Sequence, residues 1–143
     1  MPKRILVPLD RSDAAQGVLP LVGHLARSSG ATVRLLHVAP IPQGRVGDHG
    51  HVIAYANQEM ERLEYKGLDY LKAAEAQLES VPVESVVRFG EPVEEILREA
   101  EAFAADLIAL STASRSWLRR VLGGGAGKVF RQTDVPVMLL GTR

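Results

Sequence analysis

Ile5-Leu6-Val7-Pro8-Leu9, closed by Asp10, is an unbroken apolar run with no polar alternation. A strand with one wet face alternates apolar and polar side chains. A run that is apolar throughout is the mark of a strand covered on both faces, and such strands sit in parallel sheets. Four further β-favouring runs follow, at residues 31–39, 83–89, 106–111 and 135–140. The run at 83–89 alternates more than the others and is therefore expected nearer an edge.

Helical patterns separate these runs. Ser12 or Asp13 can cap a first helix whose apolar positions Val18, Leu21, Val22 and Leu25 recur at spacings of three and four, and Gly30 supplies the left-handed stop. Pro20 is expected to kink that helix by removing an internal hydrogen bond. The longest helix carries Met60, Leu63, Gly67, Leu71, Ala74 and Leu78 as one buried stripe. A third shows Val93, Ile96, Leu97, Ala100 and Phe103, with Glu91, Glu94 and Glu95 in its first turn, where the helix dipole favours acids. A fourth is expected from the glycine cluster at 123–127 to Thr133. Alternating strands and helices predict an α/β fold, a three-layer open sheet of five parallel strands with helices on both faces, in a single domain over residues 1–143. In such folds ligands bind beyond the C-terminal ends of the strands, where the strand order reverses. The loops to inspect are residues 10–12, 40–52 and 112–127.

Composition narrows the function. Lys plus Arg and Asp plus Glu number 17 each, which removes the broad electrostatic case for a nucleic-acid or membrane-surface partner. Absent cysteine excludes disulfides, zinc thiolates, iron-sulfur clusters and thiol catalysis. Asp10 interrupts the first apolar run before a signal-peptide core forms, and no segment approaches the roughly 20 apolar residues of a membrane span. A cytoplasmic location is expected.

Residues 123–127 contain four glycines, which a helix interior would tolerate only at about 1 kcal/mol each. They read either as a loop whose backbone approaches a phosphate at a helix start, or as a flexible connection without a ligand. Arg115, Arg119, Arg120, Lys128 and Arg131 make a local positive field around them, with Trp117 in its midst to stack on a base or pack on the fold. The stretch is not a P-loop: Leu122 stands where the first glycine of G-x-x-x-x-G-K-[ST] belongs, and Val129 replaces the magnesium-holding hydroxyl. Asp10, at the end of the first strand, is placed to accept from a ribose hydroxyl, or else to cap the following helix. Asp48, His49 and His51 are metal-capable but are expected on a solvent-exposed loop; His24 and His37 are read as packing residues. The glutamates of the second and third helices are read as solvated faces. No nucleophile or catalytic-base motif appears, so turnover of a bound nucleotide is not supported.

Taken in order, Lys3-Arg4-Ile5-Leu6-Val7-Pro8-Leu9-Asp10-Arg11-Ser12, Leu35-Leu36-His37-Val38, Gly90-Glu91-Pro92 with Ile96, Asp106-Leu107-Ile108 and Val135-Pro136-Val137 resemble the universal stress protein family along essentially the whole chain. The resemblance implies a Rossmann-like sheet of the adenine nucleotide alpha hydrolase type, a homodimer through the C-terminal strand, and a role in stress response. It also implies two subclasses. One binds ATP or AMP, with Mg, through G-2x-G-9x-G-(S/T); the other lacks that pattern and acts as a dimeric interaction module. Here the first two glycines become Ser111 and Ser114, and the hydroxyl position becomes Gly124 or Gly125. Carried over residue by residue, the nucleotide site comprises Pro8, Asp10 for ribose, the backbone of Val38 for adenine, Leu110, Ser111, Ser114, Gly123, Gly124, Gly125 and Ala126.

Overall fold

The computed structural model describes residues 2–12, 14–42, 49–111 and 133–140. The apolar runs form β1 (Arg4–Pro8), β2 (Thr32–Ala39), β3 (Val83–Phe89), β4 (Leu107–Ser111) and β5 (Val137–Leu140). All neighbours pair in parallel, in the order β3-β2-β1-β4-β5. The alternating run at 83–89 is indeed an edge strand.

The helices are α1 (Leu19–Ser29), α2 (His49–Glu75) and α3 (Pro92–Phe103). Side-chain alternation along each strand divides the core in two. Ile5, Val7, Val33, Leu35 and Ala109 pack with Leu19, Val22 and Ala26 of α1 and with Leu71 and Ala74 of α2. Leu6, Leu36, Val38, Ile108 and Leu110 pack on the other face with Val93, Ile96 and Ala100 of α3. Helices thus cover both faces of an α/β parallel sheet. Among the described residues no helix is long and apolar enough to cross a membrane.

The left-handed stop at Gly30 holds as expected, while two N-terminal readings shift: Ser12 caps a short segment ahead of α1 rather than α1 itself, and Glu91 is the N-cap of α3 rather than an acid of its first turn. Gly30 ends α1 at φ 69°, its N–H donating to Ala26 O. Ser12 Oγ accepts from Ala15 N at 3.0 Å and caps a 3-10 segment, Ala14–Val18, that leads into α1. The Glu91 carboxylate accepts from Glu94 N at the start of α3.

Others are corrected. Because α1 begins only at Leu19, Pro20 lies in its first turn, where the missing N–H had no helical partner, and no mid-helix kink is required. Leu21 is 52% exposed, since the buried register runs through Leu19, Val22 and Ala26. The backbone of His49, Gly50 and His51 opens α2 rather than lying on a loop. His24 is exposed, not packed. Glu95 and Glu99 are buried rather than solvated, Glu99 at 1% exposure. Its oxygens accept from Arg34 Nη1 at 2.6 Å and Arg88 Nε at 2.5 Å, cations carried by β2 and β3. The fourth helix, the glycine cluster, Trp117 and the surrounding basic residues lie outside the described residues.

Candidate functional site

Strand order reverses at β1, which has β2 on one side and β4 on the other. The crevice beyond the C-terminal ends of these strands is therefore where the fold presents main-chain groups to a ligand. The Ile5–Leu107 and Leu6–Ile108 register, carried forward, sets Ser111 opposite Leu9, so the ends of β1 and β4 are level.

Asp10 leaves β1 in a tight turn. Its Oδ1 accepts from Ser12 N at 3.0 Å and from Ser12 Oγ at 2.7 Å. Oδ2 receives no hydrogen bond from the described residues, so one carboxylate oxygen remains for a hydroxyl donor. Arg11, between them, adopts φ 70°, a left-handed conformation that side chains other than glycine enter at a cost of about 1–2 kcal/mol. Tyr70 of α2 donates its hydroxyl to Ser12 O at 2.7 Å and holds the turn from outside.

Val38 has only its backbone to offer, because its side chain is buried in the core under α3. In a parallel strand the N–H and C=O of one residue point to the same side, and alternate residues point oppositely. Leu9 N donates to Leu36 O at 2.8 Å, so Leu36 faces β1, and so does Val38 two residues on. By the level of Val38, β1 has ended at Pro8, and the main chain of Val38 faces the gap. Pro8, Leu110 and Ser111, at the ends of β1 and β4, are buried. Ser114, Gly123, Gly124, Gly125 and Ala126 lie outside the described residues.

His37 is the residue whose part the sequence did not reveal. It is buried, as a packing residue should be, but its Nδ1 lies 2.9 Å from Leu9 O. A carbonyl only accepts, so Nδ1 carries the hydrogen. Burial pushes this imidazole below its usual range; Arg11 acts in the same direction, while the Leu9 bond and Asp10 oppose it. The histidine in Leu35-Leu36-His37-Val38 was visible, but nothing local to it names Leu9 as its partner.

An open cavity of about 460 Å³, lined by Pro20, Arg27, Ala76, Gln77, Glu79 and Ser80, contains none of these residues. Arg27 Nη1 there already donates to Glu79 O. Among the described residues no group of three or more His, Asp or Glu side chains is arranged to hold a metal ion.

The sequence model of the universal stress protein family matches residues 1–141. The chain is 28% identical over 145 residues to universal stress protein YxiE of Bacillus subtilis, covering 96% of this chain and 97% of that one. The solved structure of hypothetical protein MJ0577 is 24% identical, with a TM-score of 0.74 over 99% of this chain and 96% of that one. A universal stress protein solved in complex with cAMP is 20% identical, with a TM-score of 0.63 over 99% and 98%. At these identities the structural likeness establishes the fold.

Proposed function

The chain belongs to the universal stress protein family, and on that premise we propose that it is a cytoplasmic regulatory protein that binds an adenine nucleotide, AMP or ATP with Mg, across the ends of β1, β2 and β4. The observation that carries this reading is the Asp10 turn. It stands at the switch point, and one oxygen is committed to Ser12 while the other is left for a ribose hydroxyl. The backbone of Val38 supplies donor and acceptor for a base edge, and the backbones of Ser111, Ser114 and residues 123–126 serve the phosphates. A related fold crystallised with cAMP supports the ligand class. Calorimetric titration with ATP and AMP tests the reading. Saturable binding that Asp10→Ala weakens by tenfold or more, about 1.4 kcal/mol, is expected. Absence of heat and of thermal shift at millimolar nucleotide would end it.

A second reading, the dimeric module without nucleotide, is favoured by β5. Among the described residues it is an edge strand, with Met138 37% and Leu139 40% exposed, and an apolar edge that none of them pairs invites a second copy. Light scattering decides the dimer, with Met138→Lys expected to give monomers. If Ser111 and Ser114 exclude the nucleotide, replacing both with glycine should create binding.

A further inference from the structure

We propose that His37 is a positioning residue that ends the pairing of β1 with β2 and so keeps the main chain of Val38 open to a ligand. The inference rests on the nucleotide reading for its purpose and on the hydrogen-bond pattern for its substance. Leu9 N donates to Leu36 O, which is the last rung of the β1–β2 ladder. In parallel pairing the next rung would run from Val38 N to Leu9 O. That rung is not made among the described residues. Instead Leu9 O accepts from His37 Nδ1 at 2.9 Å. The imidazole therefore occupies the acceptor that strand continuation would have given to Val38.

His37 cannot easily yield this position. Its Cδ2 lies against Gly67 of α2, where an added Cβ would come within 3.3 Å of it and 2.9 Å of Val87 Cγ2. One turn along α2, Tyr70 donates to Ser12 O. Two side chains thus hold carbonyls 9 and 12, on either side of Asp10 and the left-handed Arg11. The chain leaves the sheet at Leu9 and is fixed again at Ser12. A ligand then finds the Val38 amide and the Asp10 carboxylate already set apart, with no ordering left to pay at binding.

His37→Leu removes the donor, and His37→Asn retains an N–H near the position of Nδ1. In ligand-free protein, His37→Leu should slow hydrogen exchange at the Val38 amide about tenfold as Leu9 O closes the rung, the effect of one net hydrogen bond. His37→Asn should leave it near the wild-type rate. Adenine-nucleotide affinity should fall about tenfold in the leucine variant and recover in the asparagine variant. Unchanged Val38 exchange in His37→Leu overturns the proposal. If Val38 exchange responds while wild-type protein binds no nucleotide, the nucleotide reading fails and the positioning role stands. Should the leucine variant not fold, Tyr70→Phe tests the other anchor: faster exchange at the Ser12 amide is required, and an unchanged rate counts against the two-point hold.

Discussion

Glu99 and His37 are buried on opposite faces of the same sheet, and they are made tolerable in opposite ways. Glu99, on the α3 face, is paired with Arg34 and Arg88, which reach it from two strands, with Arg34 also bound to Glu84 and stacked 4.3 Å from the Phe103 ring centroid. His37, on the α2 face, is held toward its neutral form by burial and donates its hydrogen to a main-chain carbonyl. The first arrangement is closed, with both oxygens satisfied within the fold, and it pins α3 to β2 and β3. The second takes the Leu9 carbonyl where the chain leaves the sheet, next to the turn that carries Asp10. The difference separates a group that serves stability from one that serves presentation of a site.

The largest break in this comparison is Glu99→Gln. Removing one charge from a buried pair leaves the partner cations uncompensated, typically about 3–5 kcal/mol, but Arg34 and Arg88 are 20% and 38% exposed and water recovers part of that. A loss of about 2–3 kcal/mol in urea unfolding is expected, without loss of nucleotide affinity. Glu84→Gln, on a half-exposed partner of the same Arg34, should cost less than about 1 kcal/mol. Equal effects of the two would mean that the ion pairs are not what separates the faces.

The same contrast explains what could be read from sequence. Gly30 and Ser12 act on backbone within four residues of themselves, and their roles as stop and cap were legible, whereas Glu91 was read as a first-turn acid and instead caps α3. Strand identity was legible because parallel burial leaves an unbroken apolar run at residues 5–9. Asp10 was legible as a strand-end carboxylate. Glu99 was not, because its counter-charges come from residues 34 and 88, and helical spacing alone makes it one more acid on a polar face. The His37 bond to Leu9 and the left-handed Arg11 were likewise hidden, since both depend on strand register and on α2 crossing at Gly67.

Next in size is Gly67→Ala, which presses on the His37 side only. Alanine gains about 1 kcal/mol in helix propensity over glycine. Its Cβ would stand 2.9 Å from Val87 Cγ2 and 3.3 Å from the His37 ring, and such overpacking costs about 1–3 kcal/mol. A net destabilisation of about 1 kcal/mol is expected, together with weaker nucleotide binding as the ring is displaced. A stabilised variant with unchanged binding would show that the close approach does not constrain His37.

The pH dependence follows from the direction of the His37 shift. Its folded-state pKa is depressed below the unfolded value near 6.5, so the unfolded chain takes up the proton first as pH falls. This residue's contribution to stability is complete above about pH 6.5 and is lost as pH drops from there toward the folded-state pKa. Urea midpoints between about pH 8 and 5 should decline on the acid side in wild-type protein, and the decline should be shallower in His37→Asn. The same shape in both would remove His37 from the account.

Arg11→Gly has the smallest expected effect, and its sign is the informative part. At φ 70° glycine relieves about 1–2 kcal/mol of backbone strain, while its greater freedom in the unfolded chain returns about 0.5–1 kcal/mol. A net gain of about 0.5 kcal/mol is expected if the turn stays fixed by Tyr70 and His37. Removing the Arg11 charge also relieves one influence that lowers the His37 pKa, so the acid-side decline should become slightly shallower. In a Tyr70→Phe background the Arg11→Gly change should stabilise less, because a turn no longer held at Ser12 can relax without glycine. If the gain is the same in both backgrounds, the strain at Arg11 is local, and the α2 side of the comparison loses its claim to shape the site.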